Sequence, residues 1–198
     1  MPRSPLWGLG AALALALTLG AAQAAMAGAS GFGAGLAHPM TQLDHLLVMV
    51  AVGLLGALFG GRAVWLLPAS FVSFTAIGEV LGLLGFGLPF GEIGIAASVV
   101  ALGLMIATRV AVPALAATAL VGVLAIFHGH AHGTETPPGV STAGFAAGVL
   151  VATAALHGAG VCLGMALARM DIRYSKRLTQ LGGTGMALAG AAMVAALF

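Results

Sequence analysis

The stretch from residue 93 to 127, IGIAASVVALGLMIATRVAVPALAATALVGVLAIF, decides how this chain must fold. Its 35 residues hold one charge, Arg109, and one proline, Pro113. As one α-helix at ~1.5 Å per residue it would reach about 52 Å, against a hydrocarbon core of ~30 Å. The chain must turn inside the run. Arg109 and Pro113 are its only strong breakers, so the turn belongs there. The run is two membrane spans, 90–108 and 110–127.

The rest of the chain agrees. Of 198 residues, 61% are hydrophobic and 6% charged, and the mean hydropathy is +1.12. A soluble domain carries roughly 25% charged residues, so this chain could not cover its own surface with polar groups. Soluble folds and disorder are excluded. The pI of about 9.3 rests on 7 Lys+Arg against 5 Asp+Glu, too thin a basic face for nucleic acid. The single cysteine, Cys162, excludes an intramolecular disulfide and a multi-thiolate metal site. The 31 glycines suit closely packed membrane helices.

Residues 1–24 read as a secretory signal peptide. Arg3 gives the positive start, an apolar stretch runs from about Leu6 to Leu19, and Ala22-Gln23-Ala24 is an A-x-A cleavage site. The alternative is a retained first span, for which the apolar stretch is short. Residues 25–198 form the mature domain. With the two spans above, hydropathy gives six: 36–59, 63–88, 90–108, 110–127, 142–167 and 181–198. The expected fold is an all-α, polytopic six-helix bundle.

Loop charge tests that count independently. A cleaved signal leaves the mature N-terminus outside, and six spans then put three connections inside. These hold Arg62, Arg109, Arg169, Arg173, Lys176 and Arg177, every Lys and Arg of the mature chain. The outer connections carry Glu92 and Glu135. This obeys the positive-inside rule at each turn and predicts a multi-pass protein of the cytoplasmic, or inner, membrane. Glycine pairs at 56/60, 78/82, 144/148 and 160/164 read as helix packing. Gly182-Gly183-Thr184-Gly185 lacks the lysine of a nucleotide loop, so ATP is not expected as a partner.

Ionisable residues inside a membrane are costly and mark function. Here they cluster. The first span opens His38-Pro39-Met40-Thr41-Gln42-Leu43-Asp44-His45, and the fourth closes Phe127-His128-Gly129-His130-Ala131-His132-Gly133-Thr134-Glu135. Both lie at the outer face. Pro39 suits a first helical position, with His38 at or before the helix start. On one straight helix His38 and His45 would stand about 10.5 Å apart along the axis. Either the entry bends, at Pro39, or these residues are successive stations. Asp44 is a ligand, or it orients His45. His128 and His132 share a face if the helix continues; the glycines also permit a loop around an ion. Imidazoles with few carboxylates and no thiolate suit Ni²⁺, Cu²⁺, Zn²⁺ or Co²⁺. His130 fits a bystander. His157, deep in the fifth span, fits a packing residue or an inner station. Glu79, mid-span, and Glu92, at the mouth of the third span, each fit an ion pathway or a structural hydrogen bond.

In these two segments the chain resembles the HupE/UreJ family, hydrogenase- and urease-associated nickel transport proteins. The family's H-x5-D-H falls on His38, Asp44 and His45. Its F-H-G-x-A-H-G-x-E falls on residues 127–135 at every fixed position. The likeness extends to Pro68, Gly78, Glu92 and His157-Gly158. Gln42 departs from the pattern, standing where a small glycine is expected. The resemblance implies a six-span Ni²⁺ permease or nickel-supply accessory protein. It carries over His38, Asp44, His45, His128, His132 and Glu135 as ligands; His130 falls on the variable position. Some members are thought to handle Co²⁺.

Three readings follow. The first is a permease, not an enzyme, moving Ni²⁺ inward on the membrane potential or an ion gradient, with no permanently bound cofactor. Its partners are the metal ion, the bilayer and the maturation proteins of nickel enzymes. The second is an intramembrane zinc-dependent hydrolase, with three protein ligands and an activated water. The third is a non-transporting partner that delivers metal to another protein.

Overall fold

The computed structural model describes residues 31–109 and 111–198, so the expected signal peptide at 1–24 lies outside the described residues. Among those residues there are seven helices and no strand: α1 Gly31–Thr41, α2 Leu43–Phe59, α3 Ala63–Leu83, α4 Gly91–Thr108, α5 Ala114–Thr134, α6 Thr142–Ala168 and α7 Ile172–Ala195. Five are long and apolar enough to cross a membrane, and α1 with α2, joined at an 83° bend, passes the same test as a pair and brings the number to six if the two count as one span. The protein is an all-α, multi-pass membrane bundle.

Local chemistry explains the boundaries. Arg109 closes α4 in the left-handed region at φ 50°, and Pro113 precedes α5, so the long run turns at these two breakers. The Arg109 Nε donates to Thr179 Oγ1 at 3.2 Å, tying that turn to α7. Ser141 caps α6 by accepting from the Gly144 N–H, and Asp171 caps α7 by accepting from the Arg173 N–H. With that cap, α7 starts nine residues before the apolar segment that hydropathy picks out at 181. Gly60 ends α2 at φ 71° and has open space around it, so of the pair 56/60 only Gly56 packs against a neighbour.

Helices pair through glycine seams. α3 lies along α5, α4 along α7, and α1 and α2 along α6. A Cβ on Gly129 or Gly133 of α5 would collide with the Thr75 or Glu79 carbonyl of α3. Gly183 meets Ala107 in the same way, so the glycine-rich segment at 182–185 is packed helix. On α1, Gly31 faces Ser141 and Gly35 faces Phe145; on α2, Gly53 faces His157. The contact positions rise together in sequence, so the α1–α2 pair taken as a whole passes along α6 in the same direction.

Two ends result. Phe59, Arg109, Ala168 and Ile172 line one cavity of about 520 Å³, which brings the α2, α4 and α6 ends together beside the start of α7. Lys and Arg residues after position 30 all lie in or beside the turns of this end. The opposite end gathers Gln42, Phe86, His130 and Glu135. Between them, α3 buries the stripe Ala63, Leu67, Phe71, Thr75, Glu79 at every fourth residue, and α6 buries Phe145, Val149, Thr153, His157. Both stripes mix apolar and polar positions.

Candidate functional site

The bend between α1 and α2 builds the first half of the site. Gln42 has an extended backbone, φ −105° and ψ 119°, and breaks the helix there. Pro39 is inside α1, in its last turns, so the helix does not begin at Pro39 and the bend does not fall on it. The Thr41 hydroxyl donates to the His38 carbonyl at 2.8 Å and covers part of the exposed helix end. The bend folds His38 back over His45, with ring centroids 6.1 Å apart.

The second half is helical. α5 continues past Phe127 to Thr134, which puts His128 and His132 one turn apart on one face. Gly129 and Gly133 occupy the neighbouring face, against α3. This division explains the alternation of histidine and glycine in the segment: one face approaches a backbone, the next presents imidazoles. His130 falls on a third face, and its Nε2–H donates to the Phe86 carbonyl at 2.6 Å, away from the other rings.

The halves meet. The His45 ring lies 4.6 Å from His128 and 4.7 Å from His132, and His38 lies 5.0 Å from His132, centroid to centroid. His45, His128 and His132 are buried at 1%, 0% and 0% exposure. Hydrogen bonds assign two tautomers. Asp44 Oδ1 accepts from the His45 backbone N–H at 2.6 Å and from Nδ1–H at 2.7 Å, which leaves the His45 Nε2 lone pair free. The Ser98 hydroxyl donates to the Ile95 carbonyl at 2.6 Å, so toward His128 it can only accept; His128 Nε2, 2.8 Å away, carries the proton and Nδ1 has the lone pair. His45 Nε2, His128 Nδ1 and both nitrogens of His132 are unpartnered. A buried polar group left so costs about 1–3 kcal/mol.

Glu135 follows α5. Its Oε2 accepts from Gln42 Nε2 at 2.8 Å and stands 3.3 Å from His38 Nε2, an ion-pair contact without good hydrogen-bond alignment. The His38 ring beside it, and then Gln42, hold the Glu135 carboxyl below the usual carboxylate range, while desolvation opposes them.

The structure thus brings together His38, Asp44, His45, His128, His132 and Glu135. Among the described residues no three His, Cys, Asp or Glu donors converge tightly enough to hold one ion as they stand. His157 lies deeper, across the Phe71 ring, at 5.1 Å from it. Glu79 is buried on the α3 stripe with Oε1 unpartnered. Glu92 is exposed in the first turn of α4. Sequence reasoning missed Ser98, although it is the one hydroxyl between Ile93 and Ala107, a signal that was there to use.

Comparison with known proteins fits this arrangement. Residues 11–193 match the family described as HupE / UreJ protein. Protein HupE of Rhizobium leguminosarum bv. viciae is 44% identical over 169 residues, covering 84% of this chain and 85% of that protein. No solved structure matches the chain. With that match over nearly its whole length, and both histidine segments joined at one end of a membrane bundle, the chain belongs to the HupE/UreJ family.

Proposed function

We propose that this protein is a permease that takes up Ni²⁺ for supply to nickel enzymes such as hydrogenase or urease, and that it is not itself an enzyme. One observation carries the reading: four imidazoles from two distant segments meet at the end of the bundle opposite the cationic turns, each with a buried ring nitrogen that has no hydrogen-bond partner. The nitrogen-rich set suits Ni²⁺ or Co²⁺, and nickel is what the family resemblance implies. His38, Asp44, His45, His128, His132 and Glu135 are the proposed ligand set, Asp44 acting through His45. In this reading His38 and Glu135 meet the ion first, and side-chain rotation hands it to His45, His128 and His132.

The cationic turns face the cytoplasm in this reading, the histidine end faces outward, and the membrane is the inner one. No cofactor stays bound; the metal is cargo. A divalent ion moving toward a negative interior gains roughly 4.6 kcal/mol per 100 mV. That sustains on the order of a thousandfold accumulation. Maturation proteins of nickel enzymes are the proposed recipients.

The test is nickel influx into lipid vesicles containing only this protein, with a nickel-sensitive dye inside. Voltage-driven influx supports the permease. Tight binding without influx turns the reading toward a delivery partner, and bound zinc with lipid or peptide cleavage toward a hydrolase.

A further inference from the structure

The cavity of about 520 Å³ at the cationic end has no part in the histidine site. Of its lining residues Leu55 and Gly164 are buried while Ala168 and Ile172 are exposed, so it runs from the packed bundle to the surface. The lining is apolar except for Ser175 and Arg109. It holds one charge and no carboxylate, imidazole or thiol, so it repels a divalent cation and has nothing to ligate one.

Arg109 is held in place there. Its backbone lies in the left-handed region at φ 50°, where glycine is the unstrained choice. Its Nε donates to Thr179 Oγ1 at 3.2 Å, and that hydroxyl donates to the Ser175 carbonyl at 2.9 Å. No carboxylate pairs with the guanidinium among the described residues. The neighbouring turns add Arg62, Arg169, Arg173, Lys176 and Arg177, all exposed. The acid beside them is Asp171, which caps α7.

We propose that this cavity binds an anionic phospholipid, with the headgroup phosphate on Arg109 and the start of an acyl chain against the apolar lining. The planar guanidinium fork matches phosphate oxygens. A free phosphate would satisfy the arginine and leave the apolar walls wet. A zwitterionic lipid would bring a further cation into a cationic end. Basic pockets between membrane helices take anionic headgroups on the same grounds. The inference stands apart from the permease reading.

The experiment is native mass spectrometry of the full chain in detergent, which counts bound lipid and copies of the chain together. Phosphatidylglycerol is titrated beside phosphatidylcholine of the same acyl chains, with inorganic phosphate as competitor, for wild type, R109N, A168F and R177Q. Asparagine tolerates the left-handed backbone. A168F keeps the charge and fills the cavity, and R177Q removes an exposed cation outside the lining. Wild type is expected to prefer phosphatidylglycerol by at least about fivefold. R109N and A168F should each lower that binding about tenfold, and R177Q less than twofold. Equal binding of the two lipids by wild type overturns the proposal without recourse to any variant. R109N or A168F within twofold of wild type also overturns it, as does R177Q matching R109N, which would mean diffuse attraction. Displacement of the lipid by equimolar inorganic phosphate overturns it in favour of a free anion. A dimer that A168F breaks up overturns it in favour of a second copy of the chain.

Discussion

Gln42 Nε2 donates to Glu135 Oε2 at 2.8 Å, joining the break in the first span to the end of α5 across 93 positions of sequence. The residue that interrupts the helix is therefore also the residue that fastens the two histidine segments together. A net hydrogen bond is worth about 1 kcal/mol, or roughly fivefold in an equilibrium. Gln42→Ala is expected to lower nickel influx a few-fold at unchanged protein level. Gln42→Glu is expected to do more harm, because it sets a carboxylate against the Glu135 carboxylate. Immunoblotting of membranes alongside influx checks both; an unaffected Gln42→Ala would mean the contact does not hold the entry in place.

Single alanine substitutions of His38, Asp44, His45, His128, His132 or Glu135 are expected to abolish most nickel accumulation while the protein persists. Ser98→Ala is expected to cost less, since it frees the His128 tautomer without removing a lone pair. His130→Ala should be mildest, because its Nε2 is spent on the Phe86 carbonyl. Cell-associated nickel, normalised to protein, measures all of these. Equal losses for His130→Ala and His132→Ala would contradict the division of faces on α5.

Span number and turn position were legible because they follow from composition: a run too long for one crossing, broken by Arg109 and Pro113. The proposed ligands were legible as residue types, since histidines in a membrane segment are conspicuous. Their assembly was not. The 83° bend depends on Gln42, whose side chain bonds to a partner 93 residues away, and no local pattern reports that. Hydropathy ended the fourth span at Phe127 because histidine and glycine are poor in apolar character. The helix continues to Thr134 because Gly129 and Gly133 pack on α3. The tautomer of His128 needed Ser98 from another helix, which only tertiary structure supplies.

Gly129→Ala and Gly133→Ala are expected to destabilise the bundle, each by about 1–3 kcal/mol, because the added methyl meets a backbone carbonyl that cannot swing aside. Gly182→Ala and Gly185→Ala meet nothing within 4 Å and should be neutral or slightly stabilising on helix propensity. Thermal melting of detergent-purified protein compares the four. A Gly129→Ala melt matching wild type would show that α3 and α5 can part without cost.

Reporter tags after Gly61 and after Lys176 are expected to read cytoplasmic, and a tag near Thr136 periplasmic. The cationic turns lie at one end of the bundle and Glu135 at the other, and the positive-inside rule orients that axis. An outside signal at Lys176 would refute six mature spans.

Acid outside is expected to slow influx at fixed voltage, and the reason separates the imidazoles from Glu135. An imidazole must be neutral to bind metal, and an unperturbed one has a pKa of ~6.5. Any ligand imidazole that gains a proton loses its hold on the metal, so influx is expected to fall as outside pH drops from about 7 to 5. Glu135 does not join this titration. Its carboxyl is held below the usual carboxylate range by His38 and Gln42, so it stays ionised through the window and gains a proton only at lower pH. Glu135→Gln is thus expected to lower influx throughout the range from about pH 7 to 5, because the wild-type carboxylate is ionised across it. Vesicles with a potassium-diffusion potential and an internal nickel dye test this, with outside pH stepped at clamped voltage. Wild-type influx falling to the level of Glu135→Gln within that range would show that the carboxyl gains its proton there. If influx ignored the imposed voltage and followed an imposed proton gradient, proton-coupled exchange would replace potential-driven uniport.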